Sequence, residues 1–82
     1  MRTFVSLSDQ PLVNITKVHY ITKEDSHMRT PDGVAHYVCK IKFTFAQNRI
    51  LVWTYKGDGA VAGAMAQDDR DRDYATLKEM LL

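Results

Sequence analysis

Alternation of apolar and polar positions is clearest between Val34 and Phe45. The odd-numbered residues of this stretch are apolar or aromatic, whereas lysine, histidine and threonine hold most even-numbered positions. Successive side chains of a strand point to opposite faces, so the pattern predicts a strand whose odd-numbered face is buried.

A second strand is predicted at Arg49–Lys56, close enough for an antiparallel hairpin. A three-residue loop would place Asn48 at a position of positive φ, which asparagine tolerates; a two-residue loop at Gln47-Asn48 is the alternative. We favour the longer loop. It places Leu51, Trp53 and Tyr55 on the buried face, whereas a one-residue slip would expose Trp53 and Tyr55 beside the lysines.

The N-terminal third predicts two earlier strands and a long loop. A short strand is expected at Thr3–Leu7, and a longer one from Leu12 to Lys23, where β-branched and aromatic residues follow Pro11. The polar stretch Glu24–Gly33 is interpreted as a hairpin loop. It ends in Thr30-Pro31-Asp32-Gly33, whose proline and glycine favour a type I turn.

A helix is predicted at the C-terminus, capped by Asp68 or Asp69 and directing an apolar stripe at the sheet. The stripe consists of Tyr74, Leu77, Met80 and Leu81. Ala60–Ala66 is ambiguous between a loop and the first helical turns. We therefore expect an α+β fold in a single domain over residues 1–82: a four-stranded antiparallel β-meander, as an open sheet or a partly closed barrel, with one C-terminal α-helix.

Composition and charge narrow the class of protein. The chain has 82 residues, a net charge of +1, 45% hydrophobic and 26% charged residues, which is typical of a small globular domain. No apolar run is long enough for a membrane span, and the N-terminus lacks a signal-peptide pattern. A single cysteine, Cys39, excludes an intramolecular disulfide. These features predict a cytoplasmic protein without a membrane partner.

Candidate reactive groups do not combine into a catalytic or metal-binding motif. His36 and Cys39 have the spacing of half a zinc site, but residues three apart on a strand point to opposite faces. The glycines at positions 57, 59 and 63 lack the spacing of a phosphate-binding loop. We expect no enzyme activity, no catalytic residues, no metal and no cofactor.

The outer face of the predicted sheet is the candidate binding site. It would present Val38, Lys40, Lys42, Ile50 and Val52, with Lys17 and His19 on the neighbouring strand. An apolar strip rimmed by lysines suits a protein partner or a homodimer. Binding of RNA or single-stranded DNA by the lysines is the alternative.

The element order resembles that of many short phage-encoded or mobile-element-encoded proteins, some of which inhibit host enzymes. The resemblance covers size and order of elements only. It implies a phage-encoded or mobile-element-encoded regulator or inhibitor of a host protein. Because no catalytic constellation, cofactor motif or secretion signal is found, we expect a non-enzymatic binding module that acts by protein–protein contact.

Overall fold

The computed structural model describes residues 3–81 as two antiparallel sheets and one long helix. Strands β1 (Phe4–Val5) and β2 (Val13–Asn14) form a two-stranded ribbon. Strands β3 (Tyr20–Arg29), β4 (Ala35–Thr44) and β5 (Ile50–Asp58) form an open three-stranded sheet with β4 at its centre. Helix α1 (Gly59–Leu81) packs on one face of that sheet. The α+β class is confirmed, but the single four-stranded meander is wrong.

The predicted strand Leu12–Lys23 is interrupted by a 3₁₀ turn at Ile15–Lys17. The Asn14 side-chain oxygen accepts hydrogen bonds from the Thr16 backbone N–H at 3.2 Å and from the Thr16 hydroxyl at 2.7 Å. Such local side-chain bonds compete with strand pairing. They turn the chain at this point, so β2 stays separate and β3 begins only at Tyr20.

The predicted loop Glu24–Gly33 is wrong over most of its length, because β3 continues to Arg29. Every residue from Tyr20 to Arg29 pairs with a residue of β4. Pairing with a strongly patterned neighbour overrides the low strand propensity of charged residues. The turn at its end is confirmed: the Gly33 N–H donates to the Thr30 carbonyl at 2.9 Å.

The hairpin between β4 and β5 has the predicted three-residue loop. The Phe45 N–H donates to the Arg49 carbonyl at 2.8 Å, and Asn48 has the expected positive φ of 60°, as does Gln47. In this register Ile41 lies opposite Trp53, and Phe43 lies opposite Leu51. The inner face of the sheet is therefore the predicted one.

Helix α1 begins at Gly59, well before the predicted caps Asp68 and Asp69, and Ala60–Ala66 is helical. Two glycines allow the close approach of helix and sheet. A Cβ at Gly63 would overlap the ring of Tyr37, and one at Gly57 would overlap the carbonyl of Ala62. Local composition hid this part of the helix, because glycine and small residues are weak helix signals.

The buried stripe of the helix differs from the predicted one by including two charged residues. Leu77 is fully buried as expected, whereas Met80 is exposed. The buried positions follow helical spacing along one face: Gly63, Ala66, Arg70, Asp73 and Leu77. Helical periodicity was therefore correct, but the polar members of the stripe were missed.

Arg70 is only 2% exposed and joins the helix to β3. Its Nη1 donates to the Asp25 carboxylate at 2.5 Å and to the Glu24 carbonyl at 3.1 Å, and its Nε donates to Asp71 at 2.7 Å. Hydrogen bonding by Arg70 holds the pKa of Asp25 below its ordinary value. A buried guanidinium needs such partners to offset its desolvation.

We expect Phe43→Ala to lower the free energy of unfolding by about 3–5 kcal/mol, because Phe43 is fully buried against Trp53. Phe4→Ala is the matched control. Phe4 is 59% exposed, so its loss should change stability by less than about 1 kcal/mol. Urea unfolding followed by Trp53 fluorescence measures both variants, and equal losses would contradict the assigned core.

Arg70→Met should lower stability at neutral pH by about 1–3 kcal/mol, since it removes charge-assisted hydrogen bonds. The variant should also lose less stability than the wild type as the pH falls. A lowered Asp25 pKa stabilises the fold above the ordinary carboxyl pKa, and this contribution disappears as pH falls through the lowered value. Unfolding titrations between neutral and acidic pH test the difference, with the exposed Arg72→Met as control. An unchanged acid dependence would contradict the Arg70–Asp25 assignment.

Candidate binding face

The outer face of the three-stranded sheet lies opposite helix α1. Ile41, Phe43, Trp53 and Tyr55 are buried on the face of the sheet that carries the helix, so the even-numbered residues of β4 and β5 point away from it. Those of β3 do the same through their pairing with β4. The face is therefore set by the strand register.

All five predicted binding residues lie on this outer face. Ile50 and Val52 are 51% and 37% exposed, and Val38, Lys40 and Lys42 are half-buried. Lys42 lies directly opposite Val52, which joins the apolar and basic parts of the site. Val38 lies opposite Lys56, at the other end of the face. Their role in binding stays a prediction.

Strand β3 adds residues that sequence reasoning missed. Glu24 and Met28 lie beyond Lys23, where the strand was predicted to end, and Tyr20 lies within the predicted strand but was not assigned to the binding face. Tyr20 and Met28 are 56% and 69% exposed on the same face, at its two ends. Glu24 lies between them and opposite Lys40. Treating residues 20–28 as one alternating strand would have found all three.

Two basic residues expected beside the patch are placed elsewhere. Lys17 lies in the 3₁₀ turn, and His19 precedes β3. Their prediction failed because the continuous strand Leu12–Lys23 does not form. Within the part of the chain that the structure describes, the lysines of this face are those of β4 and β5.

The electrostatics of the face are mixed rather than uniformly basic. The Lys42 Nζ is 3.6 Å from a Glu24 carboxylate oxygen, so part of its charge is neutralised. At the far end the His36 Nδ1 is 2.6 Å from an Asp58 carboxylate oxygen. Interspersed charges of both signs suit a partner with a patterned surface better than a uniform polyanion.

A hollow of about 540 Å³ adjoins the face at the β4–β5 loop, lined by Phe45, Ala46, Gln47, Arg49 and Ile50. Ile50 belongs to both the hollow and the outer face. The hollow extends the exposed apolar surface around Ile50 and provides a concave end where a partner side chain could anchor.

Groups with reactive potential lie on the inner side, under the helix. Burial raises the pKa of the Cys39 thiol. Burial, reinforced by its hydrogen bond to Asp73 at 2.7 Å, raises the pKa of Tyr55. Both groups are therefore neutral at physiological pH and shielded from solvent. Cys39 also faces away from His36, as the strand geometry required, and residues 3–81 contain no cluster of metal-ligating side chains.

Comparisons with known proteins add no relative. No protein-family model, no curated protein sequence and no solved structure matches the chain. Over residues 3–81, no helix combines the length and apolar character needed to cross a membrane.

Proposed function

We propose that this chain is a non-enzymatic binding module that holds a protein partner on the outer face of its three-stranded sheet. One observation carries the proposal. Helix α1 covers only the inner face, so the outer face presents Ile50 and Val52 to solvent with lysines around them. An exposed apolar strip with a polar rim is typical of a protein–protein interface.

Two potentially reactive side chains are buried and uncharged, which supports a non-catalytic role. The Cys39 thiol and the Tyr55 hydroxyl have raised pKa values and lie beneath the helix. A module of this kind acts by occupying its partner's surface, so its effect would be to regulate or inhibit that partner. An origin in a phage or mobile element belongs to the same proposal and rests on the size and element order alone. A cytoplasmic site of action also belongs to it and rests on the single cysteine and the lack of a long apolar run.

Binding of RNA or single-stranded DNA is the second candidate. It is favoured by Tyr20, an exposed aromatic ring on the same face as Lys40 and Lys42, because bases stack on such rings while lysines contact the phosphates. The Glu24 carboxylate, 3.6 Å from Lys42, opposes it by repelling phosphate.

Val52→Asp should abolish capture of the protein partner while leaving the melting temperature nearly unchanged, because it places a charge in the contact but not in the core. Immobilised wild-type protein and the variant are compared for proteins retained from a host lysate. The matched control is Val61→Asp, which places the same charge at an exposed helix position away from this face. Equal capture by all three proteins would contradict the proposed face.

A separate titration distinguishes the nucleic-acid candidate. Wild type, Lys40→Ala and Lys42→Ala are titrated with single-stranded oligonucleotides at low and moderate salt. If the face binds a protein partner, we expect all three proteins to bind the oligonucleotides weakly and with similar affinity. Tight, salt-sensitive binding that each substitution weakens would favour the second candidate instead.

A further inference from the structure

The outer edge of β3 carries backbone groups that the rest of residues 3–81 leaves unpaired. The Thr30 N–H donates to the Val34 carbonyl in continuation of the β3–β4 ladder, so even-numbered residues of β3 bond to β4. Odd-numbered residues therefore point their N–H and C=O groups outward. Within the described chain, the backbone groups of Lys23, Asp25 and His27 have no other partner.

The opposite edge of the sheet, formed by β5, is covered in part by the N-terminal segment. At β5 the Gln10 side chain donates to the Thr54 carbonyl at 2.8 Å and accepts from the Thr54 N–H at 3.3 Å. The neighbouring Pro11 carbonyl accepts a hydrogen bond from the Trp53 indole at 2.8 Å. The N-terminal segment thus covers the β5 edge at its centre and leaves the β3 edge open.

We infer that the β3 edges of two copies of this chain pair antiparallel about a two-fold axis at Glu24, forming a dimer. The outward-pointing backbone groups belong to odd-numbered residues, so odd-numbered residues of the two copies must lie opposite one another. The two-fold axis must therefore pass beside a residue, not between two residues. At Glu24, Lys23 of each copy lies opposite Asp25 of the other. An axis at Lys23 or Asp25 would oppose like charges directly, and one at Ser26 would oppose Lys23 and Arg29.

The other axes lie nearer the ends of β3 and pair fewer of its residues. Among them, the strongest competitor is the axis at His27, because it would oppose Asp25 and Arg29. It would leave residues 20–23 without a partner, whereas the Glu24 axis pairs residues 20–28. It also leaves Tyr20 exposed. The Glu24 axis instead places Tyr20 opposite Met28 of the second copy, so two exposed apolar side chains cover each other.

The charges around the Glu24 axis are complementary beyond the single pair. The Lys23 Nζ is 3.6 Å from Asp71, and Asp25 accepts from Arg70 at 2.5 Å. Pairing therefore continues an alternating series from Asp71 through Lys23 to Asp25 and Arg70 of the second copy. On the outer face the two Glu24 carboxylates meet, but each lies close to Lys42 and opposite Lys40 of its own chain, which offsets their repulsion.

Charged residues usually keep sheet edges apart. Here their order makes the edge complementary to itself. Helix α1 packs mainly on β4 and β5. It reaches β3 through the side chains of Arg70, Asp71 and Tyr74, and within residues 3–81 only the Tyr74 hydroxyl contacts an edge carbonyl, that of Ile21 at 3.5 Å. The two three-stranded sheets would become one six-stranded sheet. This inference is independent of what the outer face binds, although the dimer would present that face twice.

Cysteine cross-linking tests the axis directly. Glu24→Cys, Thr22→Cys and Ser26→Cys are each made in a Cys39→Ala background and oxidised. Directly opposed residues that do not share hydrogen bonds have Cα atoms about 4.5 Å apart, within disulfide reach. The two copies of residue 22 would be roughly 13 Å apart. We expect a disulfide dimer from Glu24→Cys alone; preferential cross-linking of Ser26→Cys, or of none, would overturn the inference.

Sedimentation measures the same dimer without oxidation. Lys23→Asp should weaken dimerisation by about tenfold or more, because it opposes carboxylates twice across the axis. Lys17→Asp makes the same charge change at an exposed position off the edge and should leave dimerisation unchanged. A wild-type monomer at millimolar concentration, or equal dimerisation of both variants, would overturn the inference. Neither result depends on the proposed partner.

Discussion

The contact between helix α1 and the inner face of the sheet determines which surfaces of this small protein remain available. Gly57 and Gly63 let the two layers approach where a Cβ would collide, and Leu77 fills the other end of the contact. Between them, Arg70 and Asp73 bring polar groups into the interface, each with hydrogen-bond partners on the strands. The N-terminal segment adds Val5, Val13 and Ile15 to the same core. The three strands alone would be marginally stable.

One helix can cover only one face of a sheet, so the same contact defines the candidate binding face. Ile50, Val52 and Tyr20 are exposed because the strand register directs them to the face opposite the core. The lysines of β4 are half-buried because they lie in the central strand, with neighbours on both sides. The outer face is thus a consequence of register as much as of composition, and a slip of one residue would exchange it with the core.

The two edges of the sheet differ for a related reason. The 3₁₀ turn closed by Asn14 directs the N-terminal segment away from β3, and Gln10 and Pro11 then hydrogen-bond to β5. A chain that continued straight into β3 could not reach that edge. Breaking the predicted strand therefore covers β5 and leaves β3 open, which underlies the proposed dimer.

Sequence alone determined the parts of the fold that depend on local periodicity. The alternation through β4, the three-residue loop at Asn48 and the burial of Leu77 followed from strand and helix geometry. Tertiary structure decided the rest. Strand β3 gains its second half from pairing with β4, and the helix begins at Gly59 because its glycine-rich start packs against Tyr37. Arg70 is buried because partners distant in sequence, Asp25 and the Glu24 carbonyl, receive its hydrogen bonds, and no local pattern encodes partners separated by that much chain.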